Sequence, residues 1–272
     1  MPDIHPTAVV STDAQLADDA IVGPYCSLEG RIILGPGTRL IGHVYLKGPL
    51  TMGAGNTVYP FSCIGYAPQH RRFDPKATGP GIVIGDDNVF RESVTIHRAF
   101  ADKPTTIGNR NYFMVNTHAG HDCLVGDDCT LANGVLLAGH VTLGNGVTVG
   151  GVTGIHQHCR VGRLAMVGGM VPLKQDVPPF CIAHPLGEAQ TLNLVGLRRA
   201  GYRQHIKPLE RAMDILFNGG HTNPKAAELI LAELADDPLC MEFARFILGT
   251  KRGIAKPMRL IGESPVNPNS AL

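Results

Sequence analysis

The sequence predicts a mainly β protein, in which a parallel β-helix of hexapeptide repeats is followed by a C-terminal α-helical domain. Three observations predict this fold. An apolar residue recurs at every sixth position through most of the first 178 residues, and glycine often follows it. After Pro178-Pro179 the apolar spacing changes to three and four residues, which is typical of helices. Short repeats of fixed period indicate a solenoid in which each repeat contributes one strand.

The repeat begins at Ile4 and contains 26 hexads, each of which starts with an apolar residue. Eleven hexads run from Ile4 to Gln69, three start at Ile84, Phe90 and Ile96, and twelve run from Ile107 to Pro178. Three hexads are expected to close one triangular coil, with the first residue of each pointing inward. Residues 18 apart in the sequence should therefore lie directly above one another at the strand spacing of about 4.8 Å. The glycines at the second position are expected to permit the turn at each corner.

Two interruptions break the period, at residues 70–83 and near 101–106. The first contains prolines, glycines and basic side chains, which is typical of a loop. Both interruptions leave the predicted prism at the same corner.

The seven cysteines are predicted to be reduced core thiols. Cys26, Cys123, Cys129 and Cys159 all fall at the fifth position of a hexad, which is the second inward site. The odd total and the absence of a Cys-x-x-Cys pair argue against a disulfide framework or a metal site. Reduced thiols favour the cytoplasm as the compartment.

Composition excludes several classes of function. The net charge of +1 provides no electrostatic basis for binding nucleic acid or an anionic membrane. No apolar run approaches the length of about 18 residues that a membrane span requires. The first residues do not resemble a signal peptide, so we expect a cytoplasmic protein without a transmembrane segment.

Apolar periodicity divides the chain into three parts: a β-helix over residues 1–183, a helical domain over 184–253 and a loosely ordered tail over 254–272. Asn223-Pro224 is a typical helix start, and Gly219-Gly220 and Gly249 are typical stops. The predicted helices are Leu192–Tyr202, Pro208–Phe217, Pro224–Ala235 and Leu239–Leu248.

Histidines are concentrated at one predicted corner. With the five-residue interruption taken into account, the 18-residue period predicts one vertical column made of His97, His121, His140, His156 and His158. His121 precedes Asp122 and lies level with Gly139 on the next coil.

An imidazole oriented by a carboxylate is suited to be a general base, and a backbone N–H at Gly139 could stabilise an oxyanion. No histidine spacing matches a metal site, so no metal is predicted.

Five segments of the sequence are distinctive, and a sixth follows them. They are Arg91–Arg98 (RESVTIHR), Asn116–Asp122 (NTHAGHD), Leu137–Val141 (LAGHV), Ile155–Gln157 (IHQ) and Gln175–Pro179 (QDVPP), followed by Asn193–Tyr202 (NLVGLRRAGY). These segments and their order closely resemble the UDP-N-acetylglucosamine acyltransferase family, which begins lipid A synthesis. The resemblance covers about residues 3–253 and implies a left-handed β-helix.

The resemblance implies a homotrimer with active sites between neighbouring prisms, and transfer of a 3-hydroxyacyl chain from acyl carrier protein to the sugar 3-hydroxyl. No cofactor is implied beyond the phosphopantetheine of the carrier, and no acyl-enzyme forms. The implied catalytic residues are His121, Asp122 and Gly139. The expected substrate-binding residues are Gln69, His70, Arg72, His97, His118, His140, His156, Gln157, Gly169, Asn193 and Arg199, with Gly169 at the position that limits acyl-chain length.

Two departures from the family pattern concern the acceptor. His70 stands where the family has an acid that holds the sugar, and Val195 stands where it has a glutamate near the nucleotide. These departures leave two alternatives open. One is transfer to a different nucleotide sugar, including one with a 3-amino group, and the other is a catalytically inactive hexapeptide-repeat trimer.

Overall fold

The computed structural model describes residues 1–74, 76–184 and 189–255 and contains a parallel β-helix followed by helices. The strands, in chain order, are β1 (Asp3–Ile4), β2 (Val9–Val10), β3 (Gln15–Leu16), β4 (Ile21–Val22), β5 (Ser27–Glu29), β6 (Ile32–Leu34), β7 (Arg39–Leu40), β8 (Tyr45–Lys47), β9 (Leu50–Met52), β10 (Thr57–Val58), β11 (Cys63–Tyr66), β12 (Ile82–Ile84), β13 (Val89–Phe90), β14 (Thr95–His97), β15 (Thr105–Ile107), β16 (Tyr112–Phe113), β17 (His118–Ala119), β18 (Leu124–Val125), β19 (Thr130–Leu131), β20 (Leu136–Leu137), β21 (Thr142–Leu143), β22 (Thr148–Val149), β23 (Gly154–Ile155), β24 (Arg160–Val161), β25 (Met166–Val167), β26 (Pro172–Leu173), β27 (Cys181–Ala183) and β28 (Ala189–Leu192).

Every third strand belongs to the same sheet, so three sheets form the sides of a prism. Sheet A contains β1, β4 and every third strand to β25, then β27 and β28; sheet B runs from β2 to β26; and sheet C runs from β3 to β24. The register of the regular coils is 18 residues, as in the pairing of Asp3 with Ile21. The predicted parallel β-helix is confirmed.

Two coils are longer than the others. Thr57 pairs with Val89 and Thr95 pairs with His118, so these coils contain 14 and five additional residues. Both insertions lie between sheet B and sheet C, as the sequence predicted. The predicted loop limits were wrong by two residues at each C-terminal end. Residues 82–83 and 105–106 are strand residues, because their backbones pair with the neighbouring coils.

The first residue of each hexad forms the core. These residues are buried from Val22 onward, whereas Ile4 is 39% exposed and Val10 and Leu16 are only half-buried. The first coil is more open because no coil lies beneath it. The four inward cysteines named above are buried and free, as predicted.

The predicted reason for the repeated glycines was wrong. Among the described residues, Gly65 is the only second-position glycine of this repeat with a positive φ angle, of 96°. A Cβ at Gly126 would lie 2.9 Å from the backbone nitrogen of Asn145, and one at Gly144 would lie 2.7 Å from that of Arg163. These glycines are therefore required by the close approach of the next coil.

The C-terminal region begins as an extension of sheet A. Strand β28 pairs antiparallel with β27, so residues 189–192 continue the prism instead of starting the predicted helix at Leu192. The helices are α1 (Leu194–Arg199), α2 (Ile206–Phe217), α3 (Asn223–Glu233) and α4 (Pro238–Leu248), with a short 3-10 helix at Arg203–His205. None of the described helices is long and apolar enough to cross a bilayer.

The segment after α4 returns to the prism. Ile254 forms a parallel bridge with Asp176, and Ile254 and Ala255 are almost completely buried. The prediction of a loose tail from residue 254 was therefore wrong for these two residues, because their backbone and side chains complete the top of the prism. The rest of the predicted tail lies outside the described residues.

Candidate active site

The corner between sheet B and sheet C presents a stack of polar side chains. Asp122, His140 and His158 occupy the same turn position on successive coils, with φ angles of 61°, 61° and 64°. The imidazoles of His140 and His158 stack with ring centroids 4.5 Å apart. The ring of His121 meets that of His140 edge-on at 5.2 Å. The coil register thus places these residues together, as the 18-residue period predicted.

His121 and Asp122 form a hydrogen-bonded pair. Nδ1 of His121 lies 2.6 Å from Oδ2 of Asp122, and the two side chains are only 14% and 7% exposed. Because a carboxylate accepts, Nδ1 carries the proton and Nε2 keeps its lone pair. The imidazole therefore has the tautomer that a general base requires.

The carboxylate of Asp122 is held by backbone groups of the five-residue insertion. Its oxygens accept hydrogen bonds from the N–H groups of Phe100, at 3.1 and 3.2 Å, and of Ala101, at 2.8 Å. The backbone N–H of Asp122 donates to Oγ1 of Thr105 at 2.8 Å. These donors stabilise the ionised carboxylate and fix its orientation. The sequence did not reveal the donors to the carboxylate, because both are backbone N–H groups of an irregular loop.

Gly139 lies directly beside the imidazole of His121. A Cβ at this position would lie 2.7 Å from both Cε1 and Nε2 of His121. Among the described residues, the Gly139 N–H has no hydrogen-bond acceptor. A free N–H next to a basic nitrogen is the arrangement that stabilises a developing oxyanion.

The five histidines predicted to form one column do not all touch. The rings of His97 and His118 meet at 4.9 Å, and among the described residues neither ring stacks on His121, His140 or His158. The register places His97 level with Gly120, as predicted. The His97 side chain is nonetheless only 8% exposed, so it does not form part of the open surface of the corner. A shift of one turn position is enough to separate the groups, because adjacent positions of a turn point in different directions.

Burial changes the pKa of three of these histidines. Loss of solvation, with a smaller contribution from His118, lowers the pKa of His97 to about 4. Loss of solvation also lowers the pKa of His118, whose Nδ1 lies 2.7 Å from Oγ1 of Thr95. Loss of solvation likewise lowers the pKa of His140, although the nearby Asp122 carboxylate acts to raise that pKa. These three imidazoles are therefore neutral around pH 7.

The low pKa of His97 predicts a specific acid sensitivity. Between the ordinary value of 6.5 and about 4, the unfolded chain binds a proton at this position that the folded chain does not. The stability that depends on neutral His97 is thus complete above pH 6.5 and decreases as pH falls toward 4. We expect the melting temperature to fall more steeply over this range in the native chain than in His97→Gln, measured by calorimetry. Equal slopes would contradict this role of His97.

The long insertion places His70 beside the His121–Asp122 pair. The His70 ring stacks on Phe100 at 4.5 Å and lies 5.8 Å from the ring of His121. The insertion is anchored by Arg98, which is 2% exposed and donates to the carbonyls of Gly65 and Ala77. Arg98 was not predicted as a site residue. The available signal in the sequence was an arginine directly after a predicted strand and just before the second interruption.

A groove of about 880 Å³ runs along sheet B from this corner. It is lined mainly by apolar groups. The lining residues are Gln69, His118, Leu136, Leu137, Ala138, Val152, Gly154, Ile155, His156, Met170, Val171, Pro172, Leu173 and Lys174. The groove thus joins predicted polar site residues at one end to exposed hydrophobic side chains such as Met170 at the other. Its dimensions and lining suit a flexible apolar chain.

The other predicted site residues are placed differently. Gln157 is exposed on the coil above Gly139, Arg72 is exposed on the long insertion, and Gly169 is exposed next to Met170 at the other edge of sheet B. Asn193 caps α1: its side chain accepts from the N–H of Gly196 and donates to the carbonyl of Leu164. Arg199 is exposed at the end of α1. Both residues follow sheet A and do not belong to the histidine corner.

The structure brings together three potential metal ligands that sequence spacing did not predict. One ligand atom each of His121, Asp122 and His140 lies within 4.8 Å of the others. Oδ2 of Asp122 already takes part in the short contact with His121, and its other oxygen accepts two backbone N–H groups. A proton held between the imidazole and the carboxylate accounts for this geometry.

A prism of hexapeptide coils with an imidazole–carboxylate pair beside an apolar groove defines an acyltransferase of the hexapeptide-repeat class. Comparison of the chain with known proteins identifies the family. Residues 176–255 match the family model described as Udp N-acetylglucosamine O-acyltransferase, domain 2. An acyl-[acyl-carrier-protein]–UDP-N-acetylglucosamine O-acyltransferase of Anaeromyxobacter sp. (strain Fw109-5) is 40% identical over 257 residues, which cover 93% of this chain and 99% of the relative. The chain therefore belongs to the UDP-N-acetylglucosamine O-acyltransferase family.

Solved structures agree with this assignment. The UDP-N-acetylglucosamine O-acyltransferase of Moraxella catarrhalis is 37% identical, with a TM-score of 0.89 over 93% of this chain and 99% of that one. The UDP-N-acetylglucosamine acyltransferase of Francisella novicida is 32% identical, with a TM-score of 0.90 over 94% and 95%. The predicted left-handed β-helix with C-terminal helices is thus confirmed as the fold class.

Proposed function

We propose that this chain transfers a 3-hydroxyacyl group from acyl carrier protein to the 3-hydroxyl of UDP-N-acetylglucosamine, the first step of lipid A biosynthesis. One observation carries the proposal: Nδ1 of His121 is bound to Asp122, and Nε2 lies next to Gly139, whose N–H has no acceptor within the described part of the chain. A base and an oxyanion donor therefore face the same small volume.

Transfer proceeds by direct attack. Nε2 of His121 removes the proton from the sugar hydroxyl as its oxygen bonds to the thioester carbonyl carbon. The resulting oxyanion is stabilised by the N–H of Gly139. When the tetrahedral species collapses, the C–S bond breaks and the imidazolium returns its proton to the departing phosphopantetheine sulfur. The products are an ester and a free thiol, and no acyl-enzyme forms.

Asp122 acts on both states of the imidazole. The short contact to Nδ1 keeps the neutral ring in the required tautomer and stabilises the imidazolium that forms during attack. General-base catalysis of this type contributes about 10²- to 10⁴-fold to the rate. One oxyanion donor contributes a further ~10²- to 10³-fold.

The groove on sheet B is the proposed site of the acyl chain. Its apolar lining extends from His118 and Gln69 to Met170, so the thioester would lie at the histidine end and the methyl end near Met170 and Gly169. Gln69, His70, Arg72, His140, His156 and Gln157 would contact the sugar, the diphosphate and the carrier arm. The acyl donor needs no cofactor other than the phosphopantetheine of the carrier protein.

Asn193 and Arg199 follow sheet A, away from the histidine corner of their own chain. We therefore propose that they serve the nucleotide from a neighbouring subunit of a homotrimer in the cytoplasm. Sedimentation equilibrium should give three times the chain mass of 29.0 kDa.

The acceptor is the point at which this chain departs from its family. His70 brings an imidazole, not a carboxylate, to within 5.8 Å of the His121 ring, and Val195 is 55% exposed on α1. These residues favour a test of two acceptors, UDP-N-acetylglucosamine and its 3-amino analogue, each with 3-hydroxymyristoyl acyl carrier protein.

We expect kcat/KM of the native chain to be higher for the 3-hydroxyl acceptor than for the 3-amino analogue. We also expect Val195→Glu to lower the KM for UDP-N-acetylglucosamine, because a carboxylate accepts hydrogen bonds from the nucleotide. Val195→Gln, at the same exposed position, is the control for a polar side chain without a charge. A preference for the amine would identify an N-acyltransferase. Absence of product with either acceptor would favour an inactive trimer.

A further inference from the structure

His156 is contacted on one ring nitrogen by two groups with opposite hydrogen-bonding requirements. Nη2 of Arg252 lies 3.1 Å from Nδ1 of His156, and the carbonyl oxygen of Gln157 lies 3.2 Å from the same nitrogen. A guanidinium only donates, so its contact requires a lone pair on Nδ1; a carbonyl only accepts, so its contact requires a proton there. Only one of these hydrogen bonds can form at a time.

Arg252 is firmly positioned for this contact. Its Nη2 also donates to the carbonyl of Lys174 at 3.1 Å. Asp176, which is completely buried, holds the segment on both sides: Oδ2 accepts from Thr250, and the backbone exchanges hydrogen bonds with Gly253 and Ala255. Because the hydrogen bond to Lys174 already orders the guanidinium, the contact with His156 costs little further side-chain entropy.

We propose that Arg252 is a positioning residue that fixes His156 in the tautomer with its proton on Nε2. Hydrogen bonds from a charged donor are roughly twice as strong as neutral ones, so the guanidinium prevails over the Gln157 carbonyl. Because His156 lines the groove on sheet B, the Nε2–H is then offered to bound substrate as a donor. This inference rests on the proposed function, in which the substrates carry oxygen acceptors.

Arg252 therefore determines what His156 recognises. With Arg252 present, Nε2–H binds a carbonyl, hydroxyl or phosphate oxygen. Without Arg252, the proton moves to Nδ1 and binds the Gln157 carbonyl, and Nε2 faces the groove as an acceptor. The C-terminal segment thus controls the polarity of a group in the acyltransferase site without touching the substrate.

Nitrogen-15 NMR of the histidine-labelled full-length chain tests this directly, with His156→Gln to assign the resonance. We expect Nε2–H in the native chain and Nδ1–H in Arg252→Met. Lys251→Met removes a neighbouring exposed charge and should leave the tautomer unchanged. A proton on Nδ1 of His156 in the native chain would overturn the proposal. An Arg252→Met variant with a lowered melting temperature but an unchanged His156 tautomer would also overturn it.

Kinetics supply the functional readout. Loss of one donor to bound substrate is expected to raise KM about tenfold in Arg252→Met with little change in kcat. Lys251→Met should retain the native KM. A native KM in a variant whose tautomer has changed would overturn the recognition role. An inactive native chain with the expected tautomer would instead contradict the proposed function, so the two failures are distinguishable.

Discussion

Replacement of His121 by alanine is expected to lower kcat by about 10²- to 10⁴-fold. The substitution removes the imidazole that is proposed to accept the proton of the sugar hydroxyl. His121 lies on a corner of the prism, outside the stacked aliphatic core, so the melting temperature should change by less than about 2 °C. The measurement is a steady-state assay combined with thermal unfolding.

His158 provides the matched control. It is also a histidine on the same corner and stacks on His140, but it has no contact with Asp122 among the described residues. We expect His158→Ala to keep kcat within about twofold of the native value. Equal losses in the two variants would show that the corner needs aromatic stacking and not a base.

Replacement of Gly139 by alanine should be nearly as damaging. The new methyl carbon would start 2.7 Å from Cε1 and Nε2 of His121, so the ring must move. Movement of the base away from the Gly139 N–H is expected to lower kcat by about 10²- to 10³-fold. Stability should fall only slightly, because the His121 side chain can swing outward toward solvent.

A double substitution separates this effect from a general loss of structure. If Gly139→Ala acts by displacing His121, it should have little effect on kcat in a chain that already carries His121→Ala. Any further loss of kcat in the double variant would then come from the oxyanion donor. Gly151→Ala adds the same methyl group at a different corner, 3.2 Å from the carbonyl of Asn133. A comparable loss in Gly151→Ala would contradict the specific role of Gly139.

Much of the prism was predictable because its period is set by one physical requirement. Each coil must turn an aliphatic side chain inward and pass close to the coil above, so the sequence repeats every six residues. That register also predicted the alignment of His121 with Gly139 and of His140 with His158, both of which the structure contains.

What the sequence could not show depends on side-chain direction and on irregular backbone. His97 has the predicted height, but its buried ring contacts His118 instead of the His121 stack, because its side chain starts from a different position of the turn. The backbone donors to Asp122 come from an insertion without a repeat. Arg252 reaches His156 from 96 residues away in sequence, which no local pattern reveals.

The most direct test of direct acyl transfer is a single turnover with the chain in excess over 3-hydroxymyristoyl acyl carrier protein. UDP-N-acetylglucosamine is added, the reaction is quenched at successive times, and intact-mass spectrometry locates the acyl group. Direct transfer predicts that the acyl group passes from the carrier to the sugar and never appears on the chain. An acylated chain, or product formed equally fast by His121→Ala, would contradict it.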